Sequence, residues 1–532
     1  MRRIILLTAL TLHIGGYAQD DVTYEATTKV TLKKGADVKA SRRSTITDMI
    51  GYDERGFYAL KGSYSMLQSS SDIQFYDKNY ALINEEEFRP EVGGKKSIIN
   101  NIIMWDKEIY VFHNYKDGKT KLNTLYVQKV DKKSLELTND IIEIASIDFS
   151  GKMKFNAGSF SSSISIDSTK LLVYYQLPYD NGEPERFGFH VFDTEMKEIW
   201  SKDVILPYEE ELFQVADFSI GDDGSVYLTG KLYNEKVKEK VRGQVNYKYV
   251  ILSYKNNGED FKEYEMDIED KFITDVKIAA LTNGDIACAG FYSDKGSYSM
   301  KGSCYLRIDG ATGNILHTST SEFGIDFLTQ NLTEKQEKKV KKKEAKGKSV
   351  ELFNYDLDNL IIRSDGGVVL VGEQYYVRVV TTTTTSANGG TTTRTDYHYY
   401  YNDIVVVNIS PAGDIEWTQK IAKRQHSVND GGYYSSYALM VYKDKLYFFF
   451  NDSPRNLSYT GTGKVYNMPF KKSVVTMVEV NAEGDVMRES LFSMKESEVM
   501  TRPKVCEQIS PNKMILFGEY KKTHRFTEVQ FK

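Results

Sequence analysis

The sequence predicts an all-β chain built from one repeated, four-stranded unit. Short strands rich in Val, Ile, Tyr and Phe recur along the 532 residues, a polar turn precedes most of them, and helix-period segments are almost absent. The recurring strands are GFYALKG (56–62), EIYVFHN (108–114), KLLVYYQ (170–176), SVYLTGK (225–231), DIACAGF (285–291), GVVLVGE (367–373), KLYFFFN (445–451) and KMILFGE (513–519). The turns before them include Asp53-Glu54, Asp222-Asp223-Gly224, Asn283-Gly284 and Asp365-Gly366, residues that tolerate tight or left-handed conformations. Further strands follow each copy across turns such as Asn256-Asn257-Gly258, Ala311-Thr312-Gly313 and Pro411-Ala412-Gly413. Strands in groups of four, repeating about every 50–60 residues, describe the blades of a single β-propeller. The count gives eight blades, or seven if the first unit is not a true blade.

The last repeat reads VCEQIS, KMILFGEY, RFTEVQF and then stops at Lys532, one strand short. The segment VTYEATTKVTL (22–32) is an orphan strand near the N-terminus. Supplying it to the last blade would remove an open edge that otherwise invites aggregation.

Two insertions break the period. Residues 333–348 carry eight lysines against three glutamates, with Thr333 and Gln336 spaced as a capping box and Gly347 as a helix stop. A solvated helix is the plain reading. The functional one is a docking site for an anionic partner, with Lys341, Lys342 and Lys343 at its centre.

The second insertion, TTTTTSANGGTTTRT (381–395), is a hairpin whose Asn388-Gly389 reads as a two-residue turn. That turn pairs Val380 with Tyr397, Arg378 with Tyr399 and Tyr376 with Tyr401, all on one face. A lone two-stranded ribbon is marginal in water, so it must lean on the body of the protein or on a partner. Tyrosine is unusually abundant, with 38 in the chain. Tyr376, Tyr397, Tyr399 and Tyr401 of the hairpin, with Tyr433 and Tyr434 further on, are the candidate binding residues, because an apolar ring with a polar tip suits recognition.

Composition narrows the class. The formal charge of −5 argues against a nucleic-acid partner, and the 41% apolar content against a disordered chain. Residues 1–18 have the form of a secretory leader: Arg2 and Arg3, an apolar run from Ile4 to Leu12, then small residues at Gly16 and Ala18. No cysteine follows the expected cut, so no lipid anchor is expected, and no later run is long enough for a transmembrane helix. The expected location is periplasmic or extracellular, with residues 19–532 forming the propeller. In such a compartment Cys288 and Cys304, on two strands of one hairpin, could form a disulfide; Cys506 reads as a buried thiol.

Signals for catalysis are sparse. There is no HExxH, no GxSxG elbow and no phosphate-binding GxxxxGK[ST]. The histidines show no i, i+4 pair. Asn354, Asp356 and Asp358 alternate like the first ligands of a calcium loop, but Asn359 stands where glycine is needed and an apolar run follows, so a strand entry is the better reading. Neither metal nor cofactor is expected.

Residues 355–380 (YDLDNLIIRSDGGVVLVGEQYYVRVV) and 397–425 (YHYYYNDIVVVNISPAGDIEWTQKIAKRQ) resemble uncharacterised secreted β-propeller proteins of the gliding-bacterium envelope. The resemblance covers one blade closely and the rest only through blade pattern, and it brings no catalytic residues. It implies a periplasmic resident, since exported cargo of that lineage usually ends in a separate sorting domain. The expectation is therefore a non-enzymatic binding or scaffold protein of the cell envelope with a protein partner. The alternative is a glycan-active propeller, lyase or hydrolase, or one that binds glycan without turnover.

Overall fold

The computed structural model describes residues 23–532 apart from 26, 40–43, 65–68, 180–181, 243, 267, 269–270 and 297. The leader expected at residues 1–18 lies outside the described residues. Strand dominates, and among the described residues eight antiparallel sheets have four or more strands.

Each sheet takes its strands from consecutive sequence. The first runs Ser44–Asp53, Gly56–Tyr64, Ser69–Asp77 and Leu82–Phe88. The second to fifth begin at Ile98, Ser159, Phe213 and Phe272 and repeat that order. The sixth comprises Tyr355–Ile362, Val368–Thr385, Thr391–Ile409 and Ile415–Ile421, with Gln425–Val428 added beside the long third strand. The seventh runs Ala438–Tyr442, Lys445–Asp452, Val474–Val480 and Val486–Ser493.

The eighth sheet joins the two ends of the chain. Glu507–Ser510, Lys513–Tyr520 and Thr523–Phe531 are completed by Val30–Lys34, with Val30 opposite Phe531 and Leu32 opposite Val529. The orphan segment is thus a strand of the last sheet. It is not one continuous strand, because Thr23–Glu25 turns back at residues 27–29 and pairs with Val30–Lys34 from the other side.

Second strands read as unbroken apolar runs because both of their faces are covered. In Lys445–Asp452, Leu446, Phe448 and Phe450 pack on Val371 and Ile404 of the sixth sheet. The alternate residues Tyr447 and Phe449 pack on Leu516 and Val529 of the eighth. Each neighbouring pair of sheets shares such a cluster. A further one joins the eighth sheet to the first through Phe57, Tyr76, Ile515 and Phe526.

The first strand of most sheets carries a bulge: one residue is left unpaired between Ile46 and Asp48, Ile99 and Asn101, Val215 and Asp217, Ile273 and Asp275, and Leu357 and Asn359. The recurrent glycine of the second strand answers this bulge. At Gly290 a Cβ would stand 2.1 Å from the Asp275 carbonyl oxygen, so only glycine lets the backbones approach.

Strand direction sorts the connections. Turns from first to second and from third to fourth strands leave one end. Second-to-third connections and the links between sheets leave the other, because successive strands are antiparallel. The first end carries short turns such as Gly221–Ser225 and Ser410–Asp414. Among the described residues every long insertion is on the second end.

Candidate functional site

The elaborated end is built around the sixth sheet, whose second and third strands run far past their neighbours. Their register puts Tyr376 opposite Tyr400, Arg378 opposite His398 and Val380 opposite Asp396. The expected pairs are therefore displaced by one residue, so Arg378 does not lie opposite Tyr399. The turn explains it. The Gly389 amide donates to the Ser386 carbonyl at 2.9 Å, the Ser386 amide to the Gly390 carbonyl at 2.8 Å, and Gly389 has φ +77°. This is a three-residue loop with glycine in the left-handed position, not the two-residue turn read from Asn388-Gly389.

One face of the hairpin base is an aromatic stack. Tyr376 and Tyr400 stack at 4.6 Å, Tyr400 and His426 at 4.5 Å, and His426 lies parallel to His398 at 5.2 Å. The two imidazoles also share a hydrogen bond, Nδ1 of His398 to Nε2 of His426, at 2.9 Å. Burial, the His398 charge and Arg424 together hold the His426 pKa below its ordinary value. The opposite face pairs Tyr375 with Tyr401 and Val379 with Tyr397, and Val377, Val379 and Tyr397 are exposed. The hairpin thus leans on its own fifth strand at the base, while its threonine tip stands free.

The other candidate residues lie around this base. Tyr401 is buried and its hydroxyl accepts from Lys504 Nζ at 2.7 Å. Tyr433 joins sheets eight and one: its hydroxyl bonds Glu519 and Thr45, and the Arg502 guanidinium covers its ring at 3.8 Å. Tyr434 packs edge-on against Tyr433 and Phe470. Lys341, Lys342 and Lys343 lie in the last turn of the exposed helix Glu334–Glu344, with Lys341 paired to Glu337 at 2.7 Å. The helix starts at the Thr333–Gln336 box, and Gly347 with φ +66° ends it. A bond from Tyr459 to Asn331 at 2.7 Å ties this insertion to the connection inside the seventh sheet.

Cys288 and Cys304 are free, buried thiols, not a disulfide. They sit on paired strands but out of register: Cys288 faces Leu306, and Cys304 faces Gly290. Side chains two residues apart along a ladder lack the geometry for the bond. Burial pushes the Cys304 thiol up to about 12. Cys506 is also free and buried.

A group that sequence reasoning missed lies on the first strands, beside the bulges. The Asp217 carboxylate accepts the Ile278 amide of the next sheet at 3.1 Å, and Asp275 accepts that of Leu357 at 3.0 Å. Asp48 sits at the same bulge position and accepts the Met49 amide at 2.8 Å. Partial desolvation raises all three, although Asp48 is exposed and Asp217 and Asp275 are half-buried. Two carboxyls go further. Glu507 is exposed at its surface, yet partial desolvation lifts it to about 7, aided by the charge of Asp48. Asp358 is exposed to solvent along one side, but desolvation by the protein packed around it lifts its carboxyl to about 7, with Glu373 and Asp356 adding to it against the Tyr437 hydroxyl, which donates to it at 2.7 Å. The signal was present as an Asx recurring in the first strand of five repeats, at 48, 101, 217, 275 and 359. Aligning the repeats on their bulges finds it. Among the described residues no three His, Cys, Asp or Glu side chains are placed to hold a metal ion, and no helix is long and apolar enough to cross a membrane.

No protein-family model matches the chain, and no curated protein matches it. Among solved structures, the β-propeller domain of the Trilobed protease from Pyrococcus furiosus aligns over 85% of this chain and 97% of that one, at 12% identity and a TM-score of 0.34. A Synechocystis apocarotenoid oxygenase mutant aligns over 85% and 94%, at 10% identity and a TM-score of 0.36. Pyrococcus horikoshii acylaminoacyl peptidase aligns over 90% of this chain but 58% of its own, at 9% identity and a TM-score of 0.33. Likenesses this weak carry no argument, and the architecture rests on the strand pairing.

Proposed function

We propose that the chain is a non-enzymatic, extracytoplasmic binding or scaffold protein of the cell envelope, built as an eight-bladed propeller closed by its N-terminal strand. The blade count is supported by eight sheets, each packed on the next and the eighth on the first. The secretory form of residues 1–18 supports the location; a mature N-terminus at Gln19 would be the check.

One observation carries the function: the long hairpin, the lysine helix and the seventh-sheet insertion all leave the same end, while among the described residues the other end has only short turns. A rigid frame elaborated on one end displays a surface to a partner. Deleting residues 381–395 from the tagged protein should abolish co-purification of its envelope partner while leaving thermal unfolding unchanged, because that segment is exposed throughout. Partner recovery equal to that of the intact chain would overturn the assignment.

The glycan-active alternative draws on Asp358. A carboxyl near 7 beside a tyrosine hydroxyl and other carboxylates has the attributes of a general acid. Reducing-end release from a panel of polysaccharides, lost in Asp358→Asn, would establish it. No release from any of them would leave the binding reading in place.

A further inference from the structure

The connection between the second and third strands of the seventh sheet, residues 453–473, holds four basic residues and no acidic one. Three of them, Arg455, Lys464 and Lys472, line one pocket of about 410 Å³ together with Arg424 from the sixth sheet. The remaining lining is neutral, with Ser453, Tyr466 and Asn467 among it. The adjacent pocket, by contrast, mixes Glu498 with its lysines.

None of the four cations forms an ion pair among the described residues. Most of the other described arginines are compensated, Arg186, Arg242 and Arg378 excepted: Arg307 by Asp285, Arg363 by Asp365 and Glu416, Arg525 by Asp37. In a chain with 74 acidic residues against 69 basic ones, a pocket of uncompensated cations is not a by-product of composition.

The pocket is also held in shape. Buried Asn456 spans the loop, donating to Asp452 at 2.7 Å and to the Tyr466 carbonyl at 2.8 Å while accepting the Tyr466 amide at 2.8 Å. Arg455 and Lys464 both approach the Tyr466 ring, at 5.1 and 5.0 Å from its centroid, which fixes where their charges lie. The Met468 amide donates to the Arg424 carbonyl at 2.9 Å and ties the loop to the residue that brings the fourth cation.

We propose that this pocket binds a phosphate-bearing ligand. Four like charges drawn together repel, and a group carrying two or more negative charges offsets that better than a single carboxylate. The guanidinium fork matches tetrahedral phosphate oxygens, and the two lysines supply point charges beside it. The Tyr466 face is already covered by cations, so a stacked nucleobase has no platform here.

The probe is sodium pyrophosphate, titrated into the full chain by calorimetry, with sedimentation of phosphatidylcholine vesicles with and without phosphatidic acid as the second arm. Expected is one pyrophosphate per chain, weakened at least about tenfold in the Arg455→Gln/Lys464→Gln variant. Both side chains are exposed, so the variant should fold, and its unfolding temperature checks that. Binding should be retained in Lys342→Gln/Lys343→Gln, whose lysines lie outside the pocket, and in the 381–395 deletion. Retention in that deletion separates a failure of this site from a failure of the partner assignment, which the deletion tests. Binding only to phosphatidic-acid vesicles, lost in the same pocket variant, supports the proposal and names a lipid headgroup as the source. No binding in either arm, or equal binding by the pocket variant and the intact chain, overturns it.

Discussion

Asp358 occupies the unpaired position of its bulge, where the backbone ladder makes no demand and the side chain is free to face its neighbours. Although Asp358 is exposed along one side, desolvation by the surrounding protein and the adjacent carboxylates hold its proton to about 7, against 3.8 for an ordinary aspartate. Between those values the folded chain binds a proton that the unfolded chain has released. Its contribution to stability is therefore present at low pH and lost as pH rises through that window. Asp358→Asn should flatten the decline in urea midpoint between about pH 4 and 7. A profile superimposable on that of the intact chain would show that the carboxyl titrates elsewhere. The turn aspartates behave in the simpler way expected of them: Asp223 accepts the Ser225 amide at 2.9 Å, and Asp365 the Gly367 amide at 3.0 Å. Their role was legible because it is local. The role of Asp217 and Asp275 was not, because it depends on an amide of the next sheet, about 60 and 80 residues away in sequence.

At the scale of elements, the long hairpin was readable as an extension of two strands, yet its register was displaced by one residue. The clue lay in the other turns of the chain. Gly224, Gly284, Gly413 and Gly484 each close a loop by the same pair of backbone hydrogen bonds as Gly389. A three-residue loop is this protein's habitual turn, and applying it to the hairpin gives the observed pairing. The imidazole pair was out of reach, since His398 and His426 meet only because Gln425–Val428 returns as a fifth strand. That pair faces Tyr400 in the stack, Arg378 across the strand, and Arg424, Asp396 and Asp430 nearby. Its held-down pKa means the fold favours neutral His426, so the contribution is present above the ordinary value of 6.5 and lost as pH falls below it. Amide exchange in residues 396–401 and 425–428, corrected for its intrinsic pH dependence, should therefore accelerate below about pH 6. His426→Gln should remove that acceleration. A variant that kept it would locate the sensitive group elsewhere.

The whole molecule depends on a strand contributed from the far end of the chain, and this too was legible, because the last repeat was one strand short. Val30 and Leu32 are fully buried in the cluster shared by the seventh and eighth sheets, beside Phe449, Leu516 and Val529. Removing the segment would take roughly 3–6 kcal/mol of apolar burial from the fold, at about 1.5–3 kcal/mol for each side chain. It would also leave Thr523–Phe531 with free backbone groups along its outer edge, a template for pairing with another chain. The packing between Phe57 and Phe526 would remain, so the truncated chain should still collapse into its sheets. A chain beginning at residue 35 should therefore unfold at lower denaturant and form concentration-dependent oligomers in light scattering. Adding a peptide of residues 22–34 in excess should restore the monomer, since the edge it fills is specific in register. If the truncated chain stayed monomeric with unchanged stability, the N-terminal strand would be an accessory to the eighth sheet, and the eighth sheet would hold to the first and seventh through side-chain packing alone.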